Sequence, residues 1–153
     1  MNPPKVYEIL PGVKSLLSVA AMNTLLGNSG QIYVASAYNV EPNPPATDTW
    51  KRIVLMPYHQ NGQVPVYDDQ TIPYRLNIRV DDYPPKTDNY NIDASLDALL
   101  NETFNLLNGV FLTTSEARII MPLKQLSRSL DSIMDPRGYY FKNAVYETIL
   151  GAY

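Results

Sequence analysis

Between residues 74 and 82 the chain alternates strictly: Tyr74, Leu76, Ile78 and Val80 are interleaved with Arg75, Asn77, Arg79 and Asp81. Period two is the signature of a strand with one face in a core and the other polar. The period then changes. Leu96, Leu99, Leu100, Thr103, Phe104 and Leu107 recur at helical spacing, with Asp97, Asn101, Glu102, Asn105 and Asn108 elsewhere on the circumference. This predicts an amphipathic helix over residues 94–108, N-capped by Asp93 and ended by Gly109, with Leu99, Leu100, Phe104 and Leu107 as its core stripe. Further on, Asp135-Pro136-Arg137-Gly138 has proline second and glycine fourth, which suits a type I turn with a bulge. Residues 126–134 are therefore predicted to pair antiparallel with residues 139–150.

Nearer the N-terminus the pattern is less clean. Asn2 can cap a short helix opened by Pro3 and Pro4 and broken at Pro11-Gly12. A second helix is predicted over residues 11–26, with Val13, Leu16, Leu17, Ala20 and Thr24 on one side and Gly27 at its end. Val19, Met22 and Leu25 make its other faces apolar too, so it is expected to be buried on more than one side or to meet another subunit. Residues 31–38 and 50–58 read as strands. Between them Pro42, Pro44 and Pro45 remove ladder donors and hold residues 41–48 as an extended loop. Asn61-Gly62 marks a turn into a third strand starting at Ile72; residues 83–88 form a linker, and 110–113 and 118–123 are short extended pieces. The fold class that accommodates this order is α+β: a mixed or mainly antiparallel sheet of four to six strands with helices packed on one face, in a single domain spanning residues 1–153.

Composition narrows the function. At 18% charged residues the surface carries less electrostatic insulation against association than usual, which favours self-assembly. Twelve Lys and Arg against fifteen Asp and Glu leave a net charge of −3, without the basic footprint of a tight nucleic-acid binder. No cysteine is present, so disulfides and thiolate metal sites are excluded and the redox compartment is read only as compatible with the cytoplasm. Apolar runs fall short of the roughly 20 residues that cross a bilayer, and residues 1–5 lack a signal-peptide core, so a soluble, unprocessed chain with no membrane partner is expected. Twelve Tyr suit half-buried contacts or the faces of a sheet.

Candidate chemistry is sparse. His59, the only histidine, stands before the Asn61-Gly62 turn and reads as a loop residue. Asp68-Asp69 and Asp81-Asp82 are adjacent pairs, whose side chains diverge on a strand, and both sit at strand ends where turn or surface roles are expected. The glycines are scattered, with no phosphate-binding loop. No catalytic, cofactor or metal site is expected; a metal-assisted acid/base enzyme using Asp68, Asp69, Asp81 or Asp82 is the alternative. The informative surface candidates are Trp50, beside Lys51-Arg52, and Arg75 and Arg79, about 14 Å apart on one strand face. They can meet a partner's carboxylates or phosphates, or form a solvated face with cross-strand ion pairs. Together with Pro42, Pro44 and Pro45 they make the expected subunit or partner interface.

Several stretches along the chain carry a family resemblance. Gln31-Ile32-Tyr33-Val34 and Lys51-Arg52-Ile53-Val54-Leu55 follow the N-terminal helices across a proline-bearing loop. Tyr74-Arg75-Leu76-Asn77-Ile78-Arg79-Val80 precedes Thr87, Asp88 and the helix. Leu130-Asp131-Ser132-Ile133-Met134-Asp135-Pro136 and Gly138-Tyr139-Tyr140 close the chain. In this order the elements resemble the tail terminator proteins of long-tailed bacteriophages, which cap the tail tube and join it to the head. The resemblance implies a structural, non-enzymatic virion protein acting as a hexameric ring at the head-proximal end of the tail, without cofactor. Its implied partners are other copies of itself, the tail tube protein and head-completion or neck proteins, with genome DNA only passing through the lumen. Its implied location is the virion neck, and the host cytoplasm during assembly. A head-completion or stopper ring is the neighbouring possibility.

Overall fold

The alternating segment forms β3 (Thr71–Tyr83), and the residues after the Asp-Pro-Arg-Gly turn form β6 (Tyr140–Gly151). The two pair antiparallel along their length, from Thr71↔Gly151 to Asp82↔Tyr140, and build the centre of the sheet. In the computed structural model, which describes residues 9–27, 31–35, 49–58, 71–87, 89–113 and 118–151, β1 (Ile32–Val34), β2 (Trp50–Pro57) and β4 (Arg118–Arg128) complete the order β1-β2-β3-β6-β4. Short β5 (Ile133–Met134) pairs with the start of β6. Among the described strands only β1 and β2 run parallel. The α+β expectation, with a mixed and mostly antiparallel sheet, is met.

Among the described residues three helices lie on one face: α1 (Ile9–Leu17), α2 (Ala20–Leu26) and α3 (Ile92–Leu107). Ile53 and Leu55 of β2, Leu76, Ile78 and Val80 of β3, and Ala144, Tyr146 and Leu150 of β6 point at them and are buried. α3 begins at Asn91, not at the predicted Asp93. The Asn91 side chain accepts from the Ala94 N–H at 3.0 Å, leaving the Asp93 carboxylate to Lys142 and the Ser132 N–H. At the other end Asn108 is the cap, and Gly109 follows at φ +81°, where its N–H donates to the Leu123 carbonyl at 2.7 Å.

The core stripe of α3 differs from prediction at one residue. Leu96, Leu99, Leu100 and Leu107 are buried, but Phe104 is 38% exposed and Thr103 takes the buried place. At 3.6 residues per turn Thr103 lies about 20° from Leu96 around the axis and Phe104 about 80° away. The Thr103 hydroxyl donates to the Leu99 carbonyl at 2.8 Å, so it enters the core with its polar group satisfied.

The predicted helix over residues 11–26 is two helices, bent by 84° at Ser18-Val19. The Ser18 N–H and hydroxyl both bond the Lys14 carbonyl, and Val19 is extended at φ −120° and ψ 161°. The bend resolves the apolar excess noted in the sequence. Val13 and Leu17 from one helix and Met22 and Leu26 from the other reach the same core, while Ala20 and Thr24 turn outward. Pro11 does not break α1, which runs through it from Ile9 to Leu17.

The terminal hairpin has the expected turn. The Gly138 N–H donates to the Asp135 carbonyl and the Asp135 N–H to the Tyr139 carbonyl, both at 2.8 Å. Gly138 has φ +97°, and a Cβ there would stand 3.1 Å from the Tyr83 ring. The strand before the turn is not continuous over 126–134, however. β4 starts at Arg118 and ends at Arg128, the chain leaves the ladder, and β5 resumes it at Ile133. The predicted helix at Pro3, the loop at 41–48 and the Asn61-Gly62 turn lie outside the described residues.

The stripe assignment is testable by paired truncation. Leu100→Ala should cost about 2–5 kcal/mol, and Phe104→Ala less than half as much. Urea denaturation of both variants measures the difference. An equal or larger loss for Phe104→Ala would refute this helix register.

Candidate functional site

The face of the sheet opposite the helices carries the chemistry, and it divides into two zones. In the first, Arg75 of β3 donates from Nε to Glu147 Oε2 at 2.7 Å across the strand pair, and Asn77 Nδ2 donates to Asn143 Oδ1 at 3.0 Å. The Arg75 and Glu147 side chains are 41% and 26% exposed, so this is a solvated polar ladder.

The second zone lies toward the ends of β2 and β3 and the turn before β6. Arg52 and Asp81 face each other across β2 and β3, with Phe141 on β6 next in the row. Arg52 Nε donates to Asp81 Oδ2 at 2.6 Å, and Arg79 Nε donates to Asp81 Oδ1 at 2.8 Å. Arg52 and Asp81 are fully buried and Arg79 nearly so. Aromatic rings enclose the charges: the Arg52 guanidinium lies 4.7 Å from the Trp50 ring centroid, and that of Arg79 5.6 Å from Phe141. Trp50 in turn stacks on Tyr83 at 5.7 Å. Burial pushes the Asp81 carboxyl above its ordinary range, against the pull of Arg79 and Arg52. Ring faces and paired hydrogen bonds replace some of the lost hydration of the guanidiniums.

At the turn, Asp135 accepts from Arg137 Nε at 2.9 Å and from its own zone's backbone through the Arg137 N–H at 2.9 Å. Arg137 Nη2 also donates to the Tyr139 hydroxyl at 2.6 Å. The Arg137 side chain holds Asp135 well below the usual carboxylate range.

On the helix side Asp82, adjacent to Asp81, points the other way. It accepts from the Tyr90 hydroxyl at 2.7 Å and from Ser95 Oγ at 2.5 Å. Asp82 lines a cleft of about 540 Å³ between the C-terminal end of α2 and the β3–α3 connection, with Leu25, Leu26, Lys51, Tyr83 and Pro85 on its walls. Burial raises the Tyr90 hydroxyl, with Asp82 adding to the shift and Ser95 opposing it.

Of the residues singled out in the sequence, Trp50 and Arg79 share the buried cluster, Arg75 stands apart in the solvated ladder, and Pro42, Pro44 and Pro45 lie outside the described residues. Asp81 and Asp82 diverge as expected, but the surface or turn role read for them is corrected. Both are buried inside β3, which continues to Tyr83 because Arg52, Arg79, Tyr90 and Ser95 supply partners for their charges. Asp68, Asp69 and His59 are outside the described residues. Among the described residues no group of three His, Cys, Asp or Glu could hold a metal ion.

Lys142 was not singled out. It is buried at a core-facing position of β6, where Nζ reaches Asp97 at 3.0 Å, Asp93 at 3.2 Å and the Leu130 carbonyl at 2.8 Å. Burial works against its charge, but Asp97 and Asp93 outweigh it and raise the ammonium above its ordinary value. The signal was present in the sequence: a lysine at apolar parity, and two carboxylates spaced i, i+4 on a helix.

Two predictions separate these environments. Asp81→Ala leaves buried guanidiniums without their carboxylate and should cost about 3–5 kcal/mol, whereas Arg75→Ala should cost no more than about 1 kcal/mol. Equal shifts in urea midpoint would contradict the difference in solvation. Asp135, with its folded pKa depressed, contributes stability that is full above the unfolded value of about 3.9 and is lost as pH falls through the folded value. Asp135→Asn should therefore be less stable than the wild type at neutral pH, with the gap closing in acid; a gap independent of pH would disprove the linkage.

No protein-family model matches the chain, and no curated protein matches it. Solved structures do. A chain described as "Virion of native gene transfer agent (GTA) particle" is similar at 17% identity over 94% of this chain and 95% of its own, with a TM-score of 0.60. A second solved protein is similar at 13% identity over 96% of this chain and 91% of its own, with a TM-score of 0.52. At these identities the likeness establishes a shared fold over nearly the whole of each chain.

Proposed function

We propose that this chain is a structural virion protein, a subunit of a hexameric ring at the head-proximal end of a phage or phage-like tail, where it caps the tail tube and joins tail to head. The observation that carries this reading is the full-length fold likeness to a chain of a gene transfer agent virion. The choice of a ring among virion parts rests on the order of elements that resembles tail terminators in sequence. Arg52, Asp81, Asp82 and Lys142 are engaged with neighbouring side chains of the same subunit, in keeping with a protein that works through surfaces and is not an enzyme. Its partners in this reading are further copies of itself, the tail tube protein and neck or head-completion proteins, with DNA passing through the lumen and no cofactor required. A ring of identical subunits needs two different patches on each copy, related by a rotation that closes.

Electron microscopy of the purified protein and of tails assembled with it tests this directly. Six-fold rings, and tubes ending in such a ring, are expected; rings that bind the head connector without limiting tube length would instead assign a head-completion role, and a monomer that neither binds nor caps tubes would refute the proposal. Arg75, exposed in its ladder, is the arginine to probe for a subunit contact: Arg75→Glu should leave circular dichroism unchanged while weakening rings. Replacing residues 41–48 with a short Gly/Ser turn should preserve the melting temperature and weaken ring formation or tube attachment. Normal capping by either variant would remove that segment from the interface.

A further inference from the structure

The outer edge of β4 is poorly suited to joining copies by sheet extension. Its ladder to β6 shifts register at three points, and Pro122 with Arg118, Lys124 and Arg128 interrupts or charges it. Bulges, proline and cations are the devices that keep an edge strand from pairing with another chain. With this edge blocked, side-chain features are the better candidates for a contact between copies, and two stand out.

The first is the segment between β4 and β5. Leu130 is 87% exposed, with Ile133 at 54% and Met134 at 61% close behind it. Its backbone is nevertheless held tightly. Lys142 Nζ donates to the Leu130 carbonyl, the Ser129 N–H donates to the Asn143 carbonyl at 2.8 Å, the Asn143 N–H donates to Ser129 Oγ at 3.0 Å, and the Ser132 N–H donates to Asp93 at 3.3 Å. An apolar side chain fixed in water by its own backbone is a pre-organised anchor, because little conformational entropy remains to be lost on docking. Beside it Asp131 is exposed and makes no ion pair among the described residues.

The second is the cleft. Leu25, Leu26 and Pro85 give it apolar walls, and Lys51 lines it without an ion-pair partner among the described residues. Lys51↔Asp82, Asp82↔Tyr140 and Met134↔Tyr140 are successive partners, so cleft and anchor share one end of the sheet. They stand three strand spacings apart, about 14 Å. Two different patches displaced along the sheet's hydrogen-bonding direction are what a head-to-tail contact requires.

We propose that Leu130 and Asp131 of one copy dock into the cleft of the next, Leu130 against Leu25 and Pro85 and Asp131 against Lys51. This rests on the ring reading for its biological setting, and the occupant it names is a second copy of this chain.

The absence of cysteine gives a clean test. Full-length Asp131→Cys and Lys51→Cys chains, mixed and treated with a short bismaleimide, should yield a cross-linked pair containing one of each. In parallel, light scattering should find that Leu130→Asp loses the oligomer with an unchanged melting temperature, that Lys51→Glu and Asp131→Lys each lose it, and that the chain carrying both regains it. Rings that persist in all single variants, with no mixed cross-link, overturn the docking and leave the ring reading intact. A monomeric wild type without mixed cross-link overturns both. A mixed cross-link in an open chain of copies supports the docking and rejects the closed ring.

Discussion

The antiparallel pairing of β3 with β6 is the constraint on which the rest depends. Its register assigns every residue of two long strands to one of two faces. A slip of β3 by one residue would exchange its faces, sending Leu76 and Ile78 to the charged side and Arg79 and Asp81 under the helices. Hydrophobic burial opposes the slip strongly, since the helix-facing set is fully buried. With this pair in place, β2 and β1 add on one side and β4 and β5 on the other, and the helices have one surface to cover.

The opposite face obeys a different balance. Bringing Arg52, Arg79 and Asp81 out of water is costly, and their mutual attraction offsets that cost only with good geometry and satisfied hydrogen bonds. The shared carboxylate supplies the geometry, and the rings of Trp50, Tyr139 and Phe141 cover the guanidiniums. The Asp135–Arg137 pair and the hydroxyl of Tyr139 continue the same network into the hairpin turn. Charge here is a fastening between strand ends, which is why Trp50 and Arg79 lie buried in the subunit while Arg75 stays solvated.

A similar economy governs Lys142. Its ammonium joins two carboxylates of α3 to the backbone leaving β4 and so ties helix, central strand and hairpin together. The segment so fixed presents its leucine outward. Rigid presentation of an apolar side chain serves recognition better than it serves the stability of the monomer, and it fits a chain proposed to act by assembly.

Local periodicity by itself determined the strand at Thr71–Tyr83, the amphipathic helix and the turn at Gly138, because each depends on residues a few positions apart and on backbone sterics. The helix-covered mixed sheet followed from their order. What neighbours alone decide was not legible. Thr103 displaces Phe104 because of where the sheet meets α3; Val19 ends α1 because a bend lets Met22 reach the core already occupied by Val13. Asp81 and Asp82 are buried because Arg52 of the neighbouring strand and Ser95 of the helix, 29 and 13 residues away, hold their charges. Strand alternation shows which side chains share a face, but the cost of burying a charge on it depends on the tertiary contacts that replace water, and those only the folded structure provides.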